Sequence, residues 1–251
     1  MKRRFICGIA KFLPATFLFC IAFLARGALA ADTGASILER THDLYGGLAT
    51  YYDAGVVLEE YGAAAAPSTS RHSFETYFKR TPRNFLFDYH KQGDERFVIW
   101  GDPEAFHTWW STTGTQSDYP NPNNLPAINS SDYQTDGSAT KIPTLLYPKA
   151  ALVGALSHFA DPRLDGTEAI SGHACHRIVG ATSDLYGMTG NEVNRRKLTL
   201  WIDVQSLLVR QVREEWEAAP GQVHRTTTMF DPVANGAIED GRFRFFPPKS
   251  R

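Results

Sequence analysis

Eleven short segments of this chain alternate with period two, and turn residues separate most of them. They are residues 54–61, 72–80, 84–91, 95–101, 105–111, 166–171, 173–181, 195–203, 207–217, 222–231 and 238–246. Such alternation marks strands with one face in a core and the other facing out. Residues 84–90 carry it most clearly: Phe85, Phe87 and Tyr89 alternate with Leu86, Asp88 and His90, so one face is aromatic and Asp88 and His90 are expected in solvent. Residues 71–80 repeat it, with Phe74, Thr76 and Phe78 opposite Glu75, Tyr77 and Lys79. Sequential strands joined by tight turns predict an antiparallel meander.

Two stretches break the alternation. From Ile37 to Leu48, the set Ile37, Leu38, Thr41, Leu44, Tyr45 and Leu48 recurs at helical spacing, with Asp32, Thr33 and Ser36 as candidate N-caps. Residues 102–161 form a long middle section. Its part 112–141 is rich in Ser, Thr, Asn, Asp, Gly and Pro and reads as irregular. Residues 143–159 read as a helix whose Leu145, Leu146, Leu152, Val153, Leu156 and Phe159 share an apolar side. Helices segregated from a run of strands define the α+β class.

The N-terminus sets the compartment. Lys2, Arg3, Arg4 and Lys11 precede an apolar stretch, residues 12–25, and Ala28 and Ala30 supply the small residues that signal peptidase requires. The stretch is shorter than a spanning helix needs and is interrupted by Pro14. Residues 1–30 therefore read as a cleaved export signal, and residues 31–251 as a single periplasmic domain without a stable membrane anchor. Cleavage removes five of the 26 basic residues and none of the 27 acidic ones, leaving 221 residues with a net charge near −6. That balance argues against nucleic acid as a partner. Cys175 is the one cysteine outside the signal, so it has no intramolecular disulfide partner and reads as a buried structural thiol.

Chemistry-bearing motifs are sparse. His173, Cys175 and His176 form a tempting cluster, but alternation puts His176 on the face opposite the other two, and no second ligand cluster completes a metal site. No nucleophile elbow, P-loop or dinucleotide fingerprint occurs. His72, His90, His107, His158 and His224 are scattered, and Glu59-Glu60 and Glu214-Glu215 are adjacent on strands, hence on opposite faces and solvated or ion-paired. No catalytic residue, metal or cofactor is assigned.

The C-terminal third carries a resemblance. Gly172-His-Ala-Cys175-His176-Arg-Ile178 is followed by Leu200-Trp201-Ile202-Asp203, then Leu207-Leu208-Val209-Arg210, then Phe243-Arg-Phe245-Phe-Pro247-Pro248. This order resembles the LolA-like periplasmic lipoprotein-carrier superfamily, in particular a periplasmic branch of unknown function. It covers most of residues 31–251 in element order and 165–248 in motif. The resemblance implies an open antiparallel half-barrel of about 10–11 strands, with helices covering its concave face. It also implies a non-catalytic protein that binds or carries a hydrophobic, lipid-like ligand such as an acyl chain. The candidate cavity residues are Phe74, Phe78, Phe85, Phe87, Tyr89, Trp100, Phe243 and Phe245. An envelope sensor or scaffold that docks a protein partner is the alternative, and an envelope hydrolase a third. Locally, Asp203 is expected to open an Asx-type hairpin turn, and Pro247-Pro248 to end strand pairing.

Overall fold

A computed structural model describes residues 32–63, 65–120, 139–147, 159–182 and 196–248. The predicted export signal and loop 183–194 lie outside these residues, as does most of the polar stretch 112–141 and of the predicted helix 143–159. The described residues form one antiparallel sheet and two helices. The strands are β1 (Thr50–Ala63), β2 (Ser68–Lys79), β3 (Asn84–His90), β4 (Arg96–Gly101), β5 (Phe106–Trp110), β6 (Thr115–Tyr119), β7 (Phe159–Ile170), β8 (His173–Thr182), β9 (Arg196–Asp203), β10 (Val209–Ala219), β11 (Gln222–Met229) and the two-residue β12 (Val233–Ala234). Their spatial order is β6-β5-β4-β3-β2-β1-β11-β10-β9-β8-β7, and β12 pairs with the start of β1. The edges β6 and β7 do not meet, so the sheet is an open α+β half-barrel.

Tight local chemistry makes the hairpins. Ser171 and Gly172 both take positive φ between the paired residues Ile170 and His173, the backbone that a two-residue hairpin loop needs. The Asp203 carboxylate accepts the N–H groups of Gln205 and Ser206, both at 2.9 Å, which makes the expected Asx turn. Those two N–H groups hold the Asp203 carboxyl below its usual range although burial pushes the other way.

Helix α1 (Gly34–Gly47) opens with a capping box, in which Thr33 accepts the Ser36 N–H and Ser36 accepts the Thr33 N–H. Its buried stripe, Ile37, Thr41 and Tyr45, recurs every four residues and lies on the sheet. Gly34 lets it reach the edge strand, because a Cβ there would stand 2.6 Å from the Pro162 carbonyl oxygen. Helix α2 (Lys141–Leu146) is buried along its whole length.

Three expectations are corrected. Phe159 opens β7 instead of closing a helix, and β7 begins seven residues earlier than the alternation at 166–171 suggested. Residues 115–119, within the polar stretch, are a strand. Residues 238–246 are not a strand: Asp240–Phe243 is a 3-10 turn and the chain after it is extended but unpaired.

Candidate functional site

Strand register divides the rings between two faces. The α1/α2 side holds Tyr51 and Val57 of β1, Phe74, Thr76 and Phe78 of β2, Phe85, Phe87 and Tyr89 of β3, Phe97 and Ile99 of β4, and Phe106 of β5. Of the candidate cavity residues, Phe74, Phe78, Phe85, Phe87 and Tyr89 are thus brought together, each almost fully buried. Phe87 stands 5.9 Å from Phe74 and 6.2 Å from Tyr89 between ring centroids, and Phe74 meets Phe230 at 5.6 Å. Tyr147, at the end of α2, meets Phe78, Phe85 and Phe106 edge-on at 5.4, 5.8 and 5.6 Å. Edge-to-face pairs at these distances are favourable beyond the area they bury. Ile142, Leu145 and Leu146 of α2, with Tyr147, pack in the same core cluster as this layer.

Trp100 and Phe245 do not join this layer. Trp100 pairs across from Leu86, on the opposite face, where Leu86, Val98 and Trp109 make a small second cluster. The C-terminal segment crosses that outer face as a strap. Phe245 lies 5.0 Å from Trp100 and 5.5 Å from Trp109, Arg242 stacks over Tyr77, and Asp240 pairs with Lys79. Phe243 is buried within the strap's 3-10 turn, not on an alternating strand. Asp88 is also corrected: it is buried on the outer face, gripped by the Arg96 guanidinium at 2.8 and 2.5 Å, with Arg96 capped by the Phe245 ring. His90 is exposed as expected.

Two charged clasps hold α2 against the sheet. Lys141, its first residue, pairs with Glu214 of β10, and Arg196 of β9 donates to the same carboxylate at 3.2 Å. Burial alone would raise the Glu214 pKa, but Lys141 and Arg196 outweigh it and the net direction is down. Arg80, just past β2, donates to the carbonyls of Leu48 (2.7 Å) and Tyr45 (3.1 Å) at the end of α1, and to Leu146 (3.5 Å) at the end of α2. Neither clasp has a local sequence signature.

Away from the aromatic rings, the covered face turns polar. Register sets Glu59 beside Ser70 on β2 and Thr226 on β11, so His72 and His224, two residues further on, converge on it. His224 lies 2.7 Å from Glu59 and Ser70 donates to it at 3.2 Å. The hydrogen bond with His72 is the largest cause that lowers the Glu59 pKa to about 2, and burial opposes it. Two of the scattered histidines are thus neighbours through strand pairing alone. Among the described residues, no group of three or more His, Cys, Asp or Glu side chains is arranged to hold a metal ion. No helix among them is long and apolar enough to cross a membrane.

Cys175 is buried, as expected, and its thiol contacts the His173 carbonyl at 3.5 Å. Burial, with Asp203 nearby, pushes its pKa up, so it is a poor nucleophile. Cys175→Ala is expected to cost about 1–2 kcal/mol in urea unfolding, and a chelator to leave the melting temperature unchanged. A large chelator-induced drop would revive a metal site.

No protein-family model and no curated protein matches the chain. Solved structures do. The lipoprotein LppX of Mycobacterium tuberculosis is 12% identical over 82% of this chain and 98% of its own, with a TM-score of 0.48. LprF from Mycobacterium bovis is 11% identical over 82% and 94%, with a TM-score of 0.44. A LolA superfamily protein from Nitrosomonas europaea is 11% identical over 86% and 99%, with a TM-score of 0.36.

Proposed function

We propose that this chain is an exported, non-catalytic envelope protein that binds and carries a hydrophobic, lipid-like ligand on the covered face of its half-barrel. One observation carries the reading: Phe74, Phe78, Phe85, Phe87, Tyr89 and Phe106 form a continuous aromatic layer, and α2, which packs in the same core cluster, is only six residues long. A helix that short has little stability of its own and stays in place through what it touches. An acyl chain that takes over the contacts of Ile142, Leu145, Leu146 and Tyr147 would gain roughly 0.8 kcal/mol per buried methylene. The motif resemblance across residues 165–248 and the signal-like N-terminus point to the same role and compartment.

The alternative is a module that docks a protein partner. Among the described residues the exposed large apolar side chains are Tyr61, Val204 and Phe246, few for a broad apolar docking surface, which weighs against it. The deciding experiment is mass spectrometry of lipids extracted from the protein purified from an envelope fraction, together with uptake of a fluorescent fatty acid. A co-purifying amphiphile at near one per chain is expected. Protein that carries no apolar molecule and takes up no probe would leave the docking module as the better reading.

A further inference from the structure

We propose that residues 242–248 dock the protein on an anionic membrane surface, with Phe246 entering the lipid interface and Arg242 and Arg244 meeting the headgroups. The contact is peripheral and reversible. It goes beyond the carrier reading, because the strap lies on the face of the sheet opposite the aromatic layer.

The strap has two sides. Phe243 is buried, and Phe245 lies against Trp100 and Trp109 with the Arg96 guanidinium over its ring. Arg242, Arg244, Phe246 and Pro248 alternate with these two rings and with Pro247, and all four are exposed. Phe246 is 81% exposed, more than Tyr61 or Val204. A lone exposed ring is ordinary in a soluble protein. Phe246 differs in what stands around it and in how firmly it is held out. Phe245 on its two tryptophans, Arg242 over the Tyr77 ring at 5.6 Å and Asp240 paired with Lys79 fix the strap to the sheet on either side of Arg244. The ring is therefore presented from a set base, with little ordering left for a partner to impose.

Charge supplies the independent observation. Arg40, Arg177 and Arg225, exposed or half-exposed elsewhere on the surface, pair with acids. Arg242 and Arg244 make no ion pair among the described residues, the former engaging only the face of Tyr77. From Gly241 onward the sequence carries Arg242, Arg244, Lys249 and Arg251 and no acid, although residues 31–251 as a whole are near −6. The acids just before it are Glu239 and Asp240, and Lys79 takes Asp240. Cations beside an exposed aromatic ring suit an anionic lipid interface, where headgroups attract the cations and the ring settles at the acyl boundary. A stable protein contact instead buries about 800 Å² per partner and closes a pocket around its anchor. One ring on a narrow extended segment fits the lipid surface better, because lipid needs no matching pocket.

The test is co-sedimentation of the exported protein with sucrose-loaded vesicles of phosphatidylcholine alone and of phosphatidylcholine mixed with phosphatidylglycerol. Wild-type protein is expected to bind the anionic vesicles about tenfold or more tightly than the neutral ones at low salt, and to lose that preference in high salt. Arg244→Gln should weaken binding to the anionic vesicles about fivefold. Phe246→Ser should weaken it about tenfold, and Phe246→Trp should keep it and shift tryptophan emission to the blue on vesicles. Both positions are exposed, so urea midpoints should stay at the wild-type value. Uptake of a fluorescent fatty acid should stay too, which separates this contact from the carrier reading. Equal binding to the two vesicle types, or binding unchanged in the Arg244→Gln, Phe246→Ser double variant, would overturn the proposal. Absence of vesicle binding would also overturn it, and a crosslinker at position 246 that then captures an envelope protein would assign the strap to a protein partner.

Discussion

Replacing Phe87 with alanine is expected to lower the unfolding free energy by about 3–5 kcal/mol, the cost typical of emptying a fully packed aromatic site. Phe87 has no exposed surface, lies between Phe74 and Tyr89 on its own face, and pairs across from Thr76 and Ile99, which are also buried. These neighbours sit on strands paired on both sides, so the backbone cannot collapse into the void. Urea unfolding with an unchanged slope checks the magnitude. Arg71→Ala, on the exposed face of β2, is the control and should stay within about 0.5 kcal/mol. The same variant should take up less fluorescent fatty acid at urea-free stability, because the ring that packs the helix cover also packs an acyl chain. A loss below 1 kcal/mol would mean that the layer is loosely filled without ligand.

Asp88, next to Phe87 in β3, shows what period-two alternation does and does not carry. It assigns faces correctly: Phe85, Phe87 and Tyr89 share one, and Leu86 and Asp88 share the other. It does not say whether the second face is wet. The strap that covers Asp88 comes from Phe245, more than 150 positions along the chain, and no local pattern around Asp88 announces it. The strap itself misled in the complementary way. Arg242, Phe243, Arg244 and Phe245 alternate like a strand, but the strands beneath them, β2 to β4, are already paired on both edges. With no ladder to join, the segment lays Phe245 on side chains, and Pro247-Pro248 gives up two donors that a strand would have needed.

Strand β6 escaped notice for the opposite reason. As an exposed edge it has no apolar face, so Thr115-Gln116-Ser117-Asp118-Tyr119 looks like loop. In β7, Pro162 and the register shifts before Arg163 and Thr167 broke the alternation that would have revealed its first half. The site was legible in its apolar half, where rings recur every second residue, and illegible in its charged half. Lys141, Arg196 and Glu214 come from three elements, as do Glu59, His72 and His224, and no local motif joins either set. Strand register brings the strand residues together, and the docking of α2 adds Lys141.

The second large effect concerns Asp53, a carboxyl buried at the junction of α1 and the sheet. Tyr51 donates its hydroxyl to it at 2.6 Å, and the Tyr45 hydroxyl of α1, close to the Tyr51 ring, accepts the Val209 N–H at 3.1 Å. Burial raises the Asp53 pKa from 3.8 to about 7, against the hydrogen bond from Tyr51 and with a further push from Asp231. Between those two values the folded protein holds a proton that the unfolded chain has released. Stability from this group is therefore fully present below about pH 3.8 and is lost as pH rises to about 7. At 1.36 kcal/mol for each pKa unit, the loss is at most about 4 kcal/mol. Glu59 and Glu214 have lowered pKa values, so their contribution rises with pH through the unfolded carboxyl's 4.5, and it cancels when wild type is compared with an Asp53 variant at the same pH. Asp53→Asn keeps an acceptor for Tyr51 and removes the charge. Near pH 4 the variant should match wild type or fall slightly below it, and near pH 8 it should be more stable by a few kcal/mol. Urea midpoints for both proteins across about pH 4 to 8 decide the matter. A stability difference that stays constant with pH would mean that Asp53 is ionised throughout, with its charge held by the Tyr51 hydrogen bond.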